Sequence, residues 1–182
     1  ADGSIRRSSE ESLTPYATVV AFEPKKRFAL REELNLDALK ARLDRESPNK
    51  RQLVAFRIHG LFKNILTRSV PAQKRPYPAL VQVVKNQALF KASNVSGTLV
   101  GFRSPRTLEG IRAGGYHLHF IADDRSIGGH VLDLVLQRGD GALLATNTLR
   151  LFLTDDELLL SELDENNTHG SEDLQAVEGT KK

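Results

Sequence analysis

The stretch GYHLHFIADDRSIGGHVLD, residues 115–133, carries the most structural information in this chain. Side chains alternate between the two faces of a β-strand, so His117 and His119 point the same way, about 7 Å apart. The two glycines before His130 tolerate positive φ and permit a tight return of the chain. The stretch therefore predicts an antiparallel β-hairpin in which His130 lies beside the first two histidines.

Three imidazoles on one β-face form a donor set that suits Zn²⁺ or another divalent first-row ion, and no cysteine competes with them. Three protein nitrogens leave one coordination position open for water or substrate, which is typical of catalytic rather than structural sites. Three nearby carboxylates are candidates to orient the imidazoles: Asp123, Asp124 and Asp133. The alternative interpretation is that the histidines are polar residues on a solvated strand face.

Most of the remaining sequence is typical of β-strands, with one clear helix. Asn35 can cap a helix in which Leu36, Leu39 and Leu43 share one face, and Ser47-Pro48-Asn49 ends it. We expect loops at 25–34 and 104–115, a tight turn at 138–141, and an ambiguous segment at 81–90. Strands are expected at 18–22, 53–59, 62–70, 97–102, 116–121, 130–136 and 142–153. The fold class predicted is therefore mixed, β-rich α/β, with largely antiparallel or mixed sheets and a metal site on a β-hairpin.

Composition narrows the class of protein further. The 182 residues are 40% hydrophobic and 27% charged, which excludes a fully disordered chain, and the absence of cysteine excludes a disulfide framework. A net charge of +3 gives no reason to expect nucleic acid as a partner. No stretch approaches the ~18–20 apolar residues of a membrane span, so no membrane partner and a cytoplasmic location are expected. We predict a single domain over 1–182 with an acidic tail at 161–182.

Several blocks of this sequence resemble the alpha-acetolactate decarboxylase family. The blocks most specific to the resemblance are GYHLHF and GGHVLD, and the others are GTLVGF, DDR, TRSVPAQ and PY, at 115–120, 128–133, 97–102, 123–125, 67–73 and 76–77. The resemblance extends from about Thr14 to Glu178. It implies a zinc enzyme of mixed α/β fold, a homodimer, and decarboxylation of 2-acetolactate, a small 2-hydroxy-3-oxo acid, to acetoin.

The resemblance also implies roles for individual residues. His117, His119 and His130 match the family's metal-binding histidines, and Arg68 matches its active-site arginine. The family has a functional glutamate near its C-terminus, for which Glu178 in Gln175-Ala176-Val177-Glu178 is the candidate, with Glu172 or Glu162 as alternatives.

The chemistry of this reaction explains why such residues are needed. Loss of CO₂ leaves an electron pair that delocalises onto the ketone as an enediolate, whose charge a metal stabilises as a Lewis acid. Arg68 offers a planar, two-pronged donor for a carboxylate or enediolate oxygen. Glu178 is expected either to protonate the product or to bind the metal.

One family motif has no match in this sequence. Family members carry a second functional glutamate in a Gly-Thr-Phe-x-x-Leu-Asp-Gly-Glu context, and the resemblance therefore implies that Ala1 lies partway through the family's first region. From this we expect low activity of the chain on its own. We also expect unusual exposure of apolar residues such as Val19, Ala21 or Phe56.

Two other functions are compatible with the histidines. The first is a metal-binding module that has lost catalysis together with its N-terminal acid. The second is a cupin-type oxygenase, which also uses a His-x-His pair and a distant histidine, although the cupin spacing and glycine pattern are otherwise absent. The other two histidines are expected to lie outside any metal site, with His59 packed or facing solvent and His169 in a surface loop.

Overall fold

The sequence folds into long antiparallel strands with one main helix. The computed structural model describes residues 2–10, 12, 14, 17–74, 80–108 and 114–152, and all structural statements concern these residues. The strands are β1 (Lys26–Leu30), β2 (Leu34–Asn35), β3 (Leu53–Ser69), β4 (Ala88–Ser104), β5 (Gly115–Ala122) and β6 (Gly128–Thr146); the helices are α1 (Leu36–Glu46), α2 (Leu80–Val84) and a 3₁₀ turn at Arg106–Leu108. Several predictions lie outside the described residues: the acidic tail at 161–182, and Glu162, His169, Glu172 and Glu178.

Four of the strands pair in a closed circuit. β3 pairs with β4, β4 with β5, β5 with β6 and β6 with β3, all antiparallel, while β1 and β2 add to β6. The predicted β-rich class with antiparallel pairing and one main helix is thus confirmed. Within the described ranges, no helix combines the length and the apolar character needed to cross a lipid bilayer.

Helix α1 begins and ends where the sequence predicts. The side chain of Asn35 accepts a hydrogen bond from the backbone N–H of Ala38 at 2.9 Å, which caps the first turn. Ser47 closes the other end, with its backbone N–H and its hydroxyl both donating to the carbonyl of Leu43. Leu39 and Leu43 are fully buried and pack the helix onto the core face of the sheet.

An ion pair between the buried Arg103 and the half-buried Asp44 links α1 to the sheet next to the hairpin. Arg103 on β4 donates to Asp44 at 2.9 Å, and the Tyr116 hydroxyl on β5 donates to the same carboxylate oxygen at 2.7 Å. Burial alone would raise the pKa of Asp44, but the hydrogen bonds from Tyr116 and Arg103 outweigh it and hold the pKa below 3.8. Burial and the Asp44 carboxylate raise the pKa of Tyr116, so its phenol stays a donor.

Two predicted breaks in the strands are wrong. The segments 53–59 and 62–70 form the single strand β3, and the turn expected at 138–141 is the middle of β6. The glycines there serve close packing instead of a turn. A Cβ on Gly139 would lie 2.8 Å from the carbonyl oxygen of His59, and one on Gly141 would collide with the Phe28 ring.

The N-terminal predictions also need correction. Residues 18–22, expected to form a strand, form none, because no neighbouring strand pairs with them, whereas the expected loop at 25–34 contains β1, bonded to β6. Val19 is 88% exposed and Ala21 is exposed, as expected. The expectation for Phe56 is wrong, because its side chain is 3% exposed and stacks on Tyr116 in the core.

Candidate metal centre

The hairpin of β5 and β6 brings two histidines face to face. His119 and His130 are direct register partners across the two strands, so their side chains project from the same face. Ala122 donates to the carbonyl of Ile127 at 2.9 Å, and Arg125 adopts a left-handed φ of 59° within the turn. The predicted return of the chain before His130 is confirmed.

The three imidazoles form a compact cluster. The Nε2 atoms of His117 and His119 are 3.0 Å apart, and the ring centroids are separated by 4.9 to 5.5 Å. One ligand nitrogen from each residue lies within 4.8 Å of the others. His130 is buried, His117 is half-buried and His119 is exposed, so the cluster opens to solvent on one side.

The donor set fits a divalent first-row ion. Two nitrogens that bind one tetrahedral ion at about 2.0–2.1 Å lie about 3.3 Å apart, close to the spacing of the first two histidines. The ligand nitrogen of His130 lies within 4.8 Å of the other two, and the open side leaves room for a fourth ligand. Together, His117, His119 and His130 could therefore hold a metal ion with one position free.

The carboxylates near the cluster are engaged elsewhere. Asp123 pairs with the exposed His59 at 3.1 Å. Asp124 accepts from the hydroxyl and the backbone N–H of Ser126, which lowers its pKa. Asp133 accepts from the N–H of Leu134. Each of these three carboxylates, predicted to orient the imidazoles, thus has a partner other than the histidines.

Gly129 sets the approach of the hairpin to β3. Its φ is +138°, and a Cβ at this position would lie 2.5 Å from the carbonyl oxygen of Arg68. Next to it, the fully buried Thr67 donates its hydroxyl to the carbonyl of Gly128 at 3.3 Å. Only glycine fits this backbone geometry, and the close approach fixes where His130 lies relative to β3.

Arg68 lies beside the histidines. It is the register partner of His130 across β3 and β6, and its side chain is 7% exposed. A register irregularity near Phe62 and Asn64 reverses the alternation of β3, which moves Arg68 onto the face of the histidines. Its guanidinium donates to Oε1 of Gln87 at 3.1 Å. Sequence reasoning missed Gln87, because no local pattern links it to Arg68.

An open cleft of about 600 Å³ begins at the exposed side of the cluster. The sheet face that carries the histidines, here called the histidine face, forms its floor, and residues 17–20 and Phe22 also line it. Most of the described lining residues are apolar, and Arg57 is the single lysine, arginine or acidic residue among them: Ala17, Thr18, Val19, Val20, Phe22, Ala55, Phe56, Arg57, Val100, Gly101, Phe102, His117 and His119. Sequence analysis did not single out Arg57, whose only signal is its alternation with His59 along β3.

Comparisons with known proteins converge on one family. The family model described as alpha-acetolactate decarboxylase matches residues 1–164. The alpha-acetolactate decarboxylase of Methanosarcina mazei is 42% identical over 178 residues, which cover 97% of this chain and 61% of the relative. The protein of the same name from Klebsiella aerogenes is 40% identical over 139 residues, covering 76% of this chain and 54% of the relative. The chain thus spans less than two thirds of the length of these curated relatives.

Solved structures give the same result for the fold. The crystal structure of alpha-acetolactate decarboxylase from Bacillus subtilis strain 168 superposes with a TM-score of 0.78 at 34% identity, covering 87% of this chain and 68% of that one. A protein of unknown function from Staphylococcus aureus, described as similar to alpha-acetolactate decarboxylase, gives a TM-score of 0.80 at 27% identity, covering 86% and 67%.

Proposed function

This chain belongs to the alpha-acetolactate decarboxylase family, and on that basis we propose that it is a carboxy-lyase that converts 2-acetolactate to acetoin and carbon dioxide. The observation that carries the proposal is the three-histidine cluster at the end of an open cleft, with the buried Arg68 directly opposite His130. A divalent ion and a guanidinium are two kinds of group that stabilise the negative charge developed in this reaction.

The reaction moves negative charge from the carboxylate to the neighbouring ketone oxygen, and the site must stabilise that charge. The bond between the carboxylate carbon and the hydroxyl-bearing carbon breaks, CO₂ leaves, and the electron pair passes into the neighbouring ketone. A proton is then added to the carbon that carried the carboxylate, which gives acetoin. Negative charge therefore develops on the ketone oxygen, and groups aimed at that oxygen accelerate the step.

The metal proposed is Zn²⁺, held by His117, His119 and His130. An all-imidazole donor set suits zinc, although other first-row divalent ions accept it too. When bound, the ion would supply a Lewis acid for the oxygens of a hydroxy-keto acid. The described residues contribute the remaining features: three nitrogens on one hairpin, and an approach that stays open on the side of His119.

Arg68 is proposed to stabilise the developing negative charge. Its guanidinium is buried, which strengthens its electrostatic interactions, and the bond to Gln87 limits its orientation. A planar guanidinium offers two parallel donors to an oxyanion, which an ammonium group cannot do. Its position opposite His130 supports an interaction with the same ligand that the histidines face.

The proton donor is proposed to be Glu178, with Glu172 or Glu162 as alternatives. All three lie outside the described residues, so this assignment rests on the family resemblance of residues 175–178 alone. A positioned general acid typically contributes about 10²–10⁴-fold in rate. Glu178→Gln is therefore expected to slow acetoin release while bound metal is retained. The same resemblance supports a homodimer, which light scattering on the purified chain tests directly.

One experiment tests the function as a whole. The purified chain is loaded with zinc, its metal content is measured, and acetoin release from racemic 2-acetolactate is followed against a metal-stripped sample. Acetoin release that depends on bound metal supports the proposal. About one ion per chain without acetoin release would instead indicate a metal-binding module without catalysis.

A further inference from the structure

We propose that Arg57 binds the carboxylate of the substrate and makes the cleft selective for small anions. This inference rests on the function proposed above and assigns the substrate's charged end to one residue. The ligand class is a small hydroxy-keto acid with short alkyl groups, whose oxygens face the histidines and whose carboxylate faces Arg57.

The register of the sheet places Arg57 on the histidine face. Arg57 is the partner of Val100 across β3 and β4, and Val100 is the partner of His119 across β4 and β5. Direct register partners project from the same face, so the three side chains form one row. Two strand spacings, about 10 Å between backbones, separate Arg57 from His119. An arginine side chain together with a small acid is long enough to span this distance.

The surroundings of Arg57 favour a ligand carboxylate as its partner. Its guanidinium forms no hydrogen bond or ion pair with any residue in the described part of the chain, and none of the described cleft-lining residues is acidic. Val20, Phe22 and Phe102 supply apolar walls that match short alkyl groups. An apolar cleft with one convergent cation is typical of a site for a small organic anion.

The two arginines differ in exposure, and this predicts a division of roles. Arg68 is 7% exposed whereas Arg57 is exposed to solvent in the cleft. An interaction with the carboxylate is strongest before its negative charge moves to the ketone oxygen, so it lowers KM without raising kcat. A carboxylate held by Arg57 at the open side can leave as CO₂ into solvent. Arg57 therefore governs KM, and Arg68 governs kcat.

The test uses Arg57→Gln and the matched control Arg138→Gln, since Arg138 is an exposed arginine outside the cleft on β6. Arg57→Gln is expected to raise KM for 2-acetolactate about 10-fold or more, with kcat changed by less than about 3-fold. Arg57→Lys should recover part of the affinity. Raised salt should lower kcat/KM of the wild type more than that of Arg57→Gln. Equal KM values for Arg57→Gln and Arg138→Gln would overturn the inference.

A binding measurement separates this inference from the proposed function. The zinc-loaded chain is titrated with 2-hydroxy-2-methylpropanoate and with its methyl ester, which lacks the charge. We expect the wild type to prefer the acid about 10-fold or more, and Arg57→Gln to lose that preference. Equal affinity of the wild type for acid and ester would refute the role of Arg57. If the wild type prefers the acid but releases no acetoin, only the proposed decarboxylase activity is refuted.

Discussion

Arg68 and His130 lie directly opposite each other on β3 and β6, and the neighbouring Gly129 leaves no room for a Cβ, which would lie 2.5 Å from the carbonyl oxygen of Arg68. This pairing joins the proposed metal site to the proposed charge-stabilising residue through two adjacent strands. A shift of one residue in the register between β3 and β6 would send the two side chains to opposite faces. The geometry of the site therefore depends on the pairing of these strands.

His119→Ala is expected to remove most of the bound metal. It deletes one of three nitrogens on the hairpin, and two imidazoles hold a divalent ion far more weakly than three. Metal content after dialysis, measured by elemental analysis, should fall by about 10-fold or more. The matched control is His59→Ala, because His59 is exposed and pairs with Asp123 outside the cluster. Equal metal content in the two variants would contradict ligation by His119.

Arg68→Lys is expected to lower kcat about 10²-fold while metal content stays unchanged. Lysine keeps the positive charge but loses the two-pronged donor, and it cannot reproduce the bond from Arg68 to Gln87 at the same position. The measurement is acetoin release under saturating substrate, with metal content determined on the same sample. Wild-type kcat in this variant would exclude a role for the guanidinium in the chemical step.

Gly129→Ala is expected to destabilise the fold by about 1–3 kcal/mol. Its φ of +138° is disfavoured for alanine, and the added Cβ would lie 2.5 Å from the backbone oxygen of Arg68. Gly115→Ala is the control, because Gly115 also has a positive φ, +88°, but a Cβ added there would meet no atom within 4 Å. Urea unfolding should show a larger decrease in the free energy of unfolding for Gly129→Ala than for Gly115→Ala. Equal decreases would mean that the close approach of Gly129 to the Arg68 carbonyl does not add to the destabilisation.

The hydrogen bonds that Arg103 and Tyr116 donate to Asp44 predict a contribution to stability that is lost in acid. Because the folded-state pKa of Asp44 is below its ordinary 3.8, its contribution is complete above that value and is lost as pH falls through the lower folded pKa. Asp44→Asn leaves Arg103 buried without its carboxylate, and should cost about 1–3 kcal/mol at pH 7. Urea unfolding at pH 7 and pH 3 should show that the difference in the free energy of unfolding between wild type and variant is smaller at pH 3. A gap that widens on acidification would contradict the assignment.

Features encoded by neighbouring residues could be predicted from the sequence. Asn35 caps α1 through an atom three residues away, and His117, His119 and His130 meet through one short hairpin. In both cases the interacting groups lie within a few residues of each other or of one turn. Local spacing and strand alternation therefore suffice to predict that they meet.

Features that depend on distant pairing could not be predicted. The glycines of 138–141 are typical of a turn, but here they allow Phe28 and β3 to approach β6 closely, and neither partner is nearby in sequence. The position of Arg68 on the histidine face depends on an irregularity in β3 that strict alternation does not reveal. Gln87 reaches Arg68 only because β3 and β4 pair. The role of Arg68 itself was indicated by the family resemblance alone.

Within the closed circuit of strands, some strand pairs can form earlier in folding than others. The pairing of β5 with β6 spans only the turn at 123–127 and can form within about 1–10 μs, whereas the pairing of β3 with β6 must close a much longer loop. The three histidines belong to the early part. We therefore expect any divalent ion held by these histidines to bind the hairpin before the circuit closes, and to speed refolding by holding β6 in place for β3.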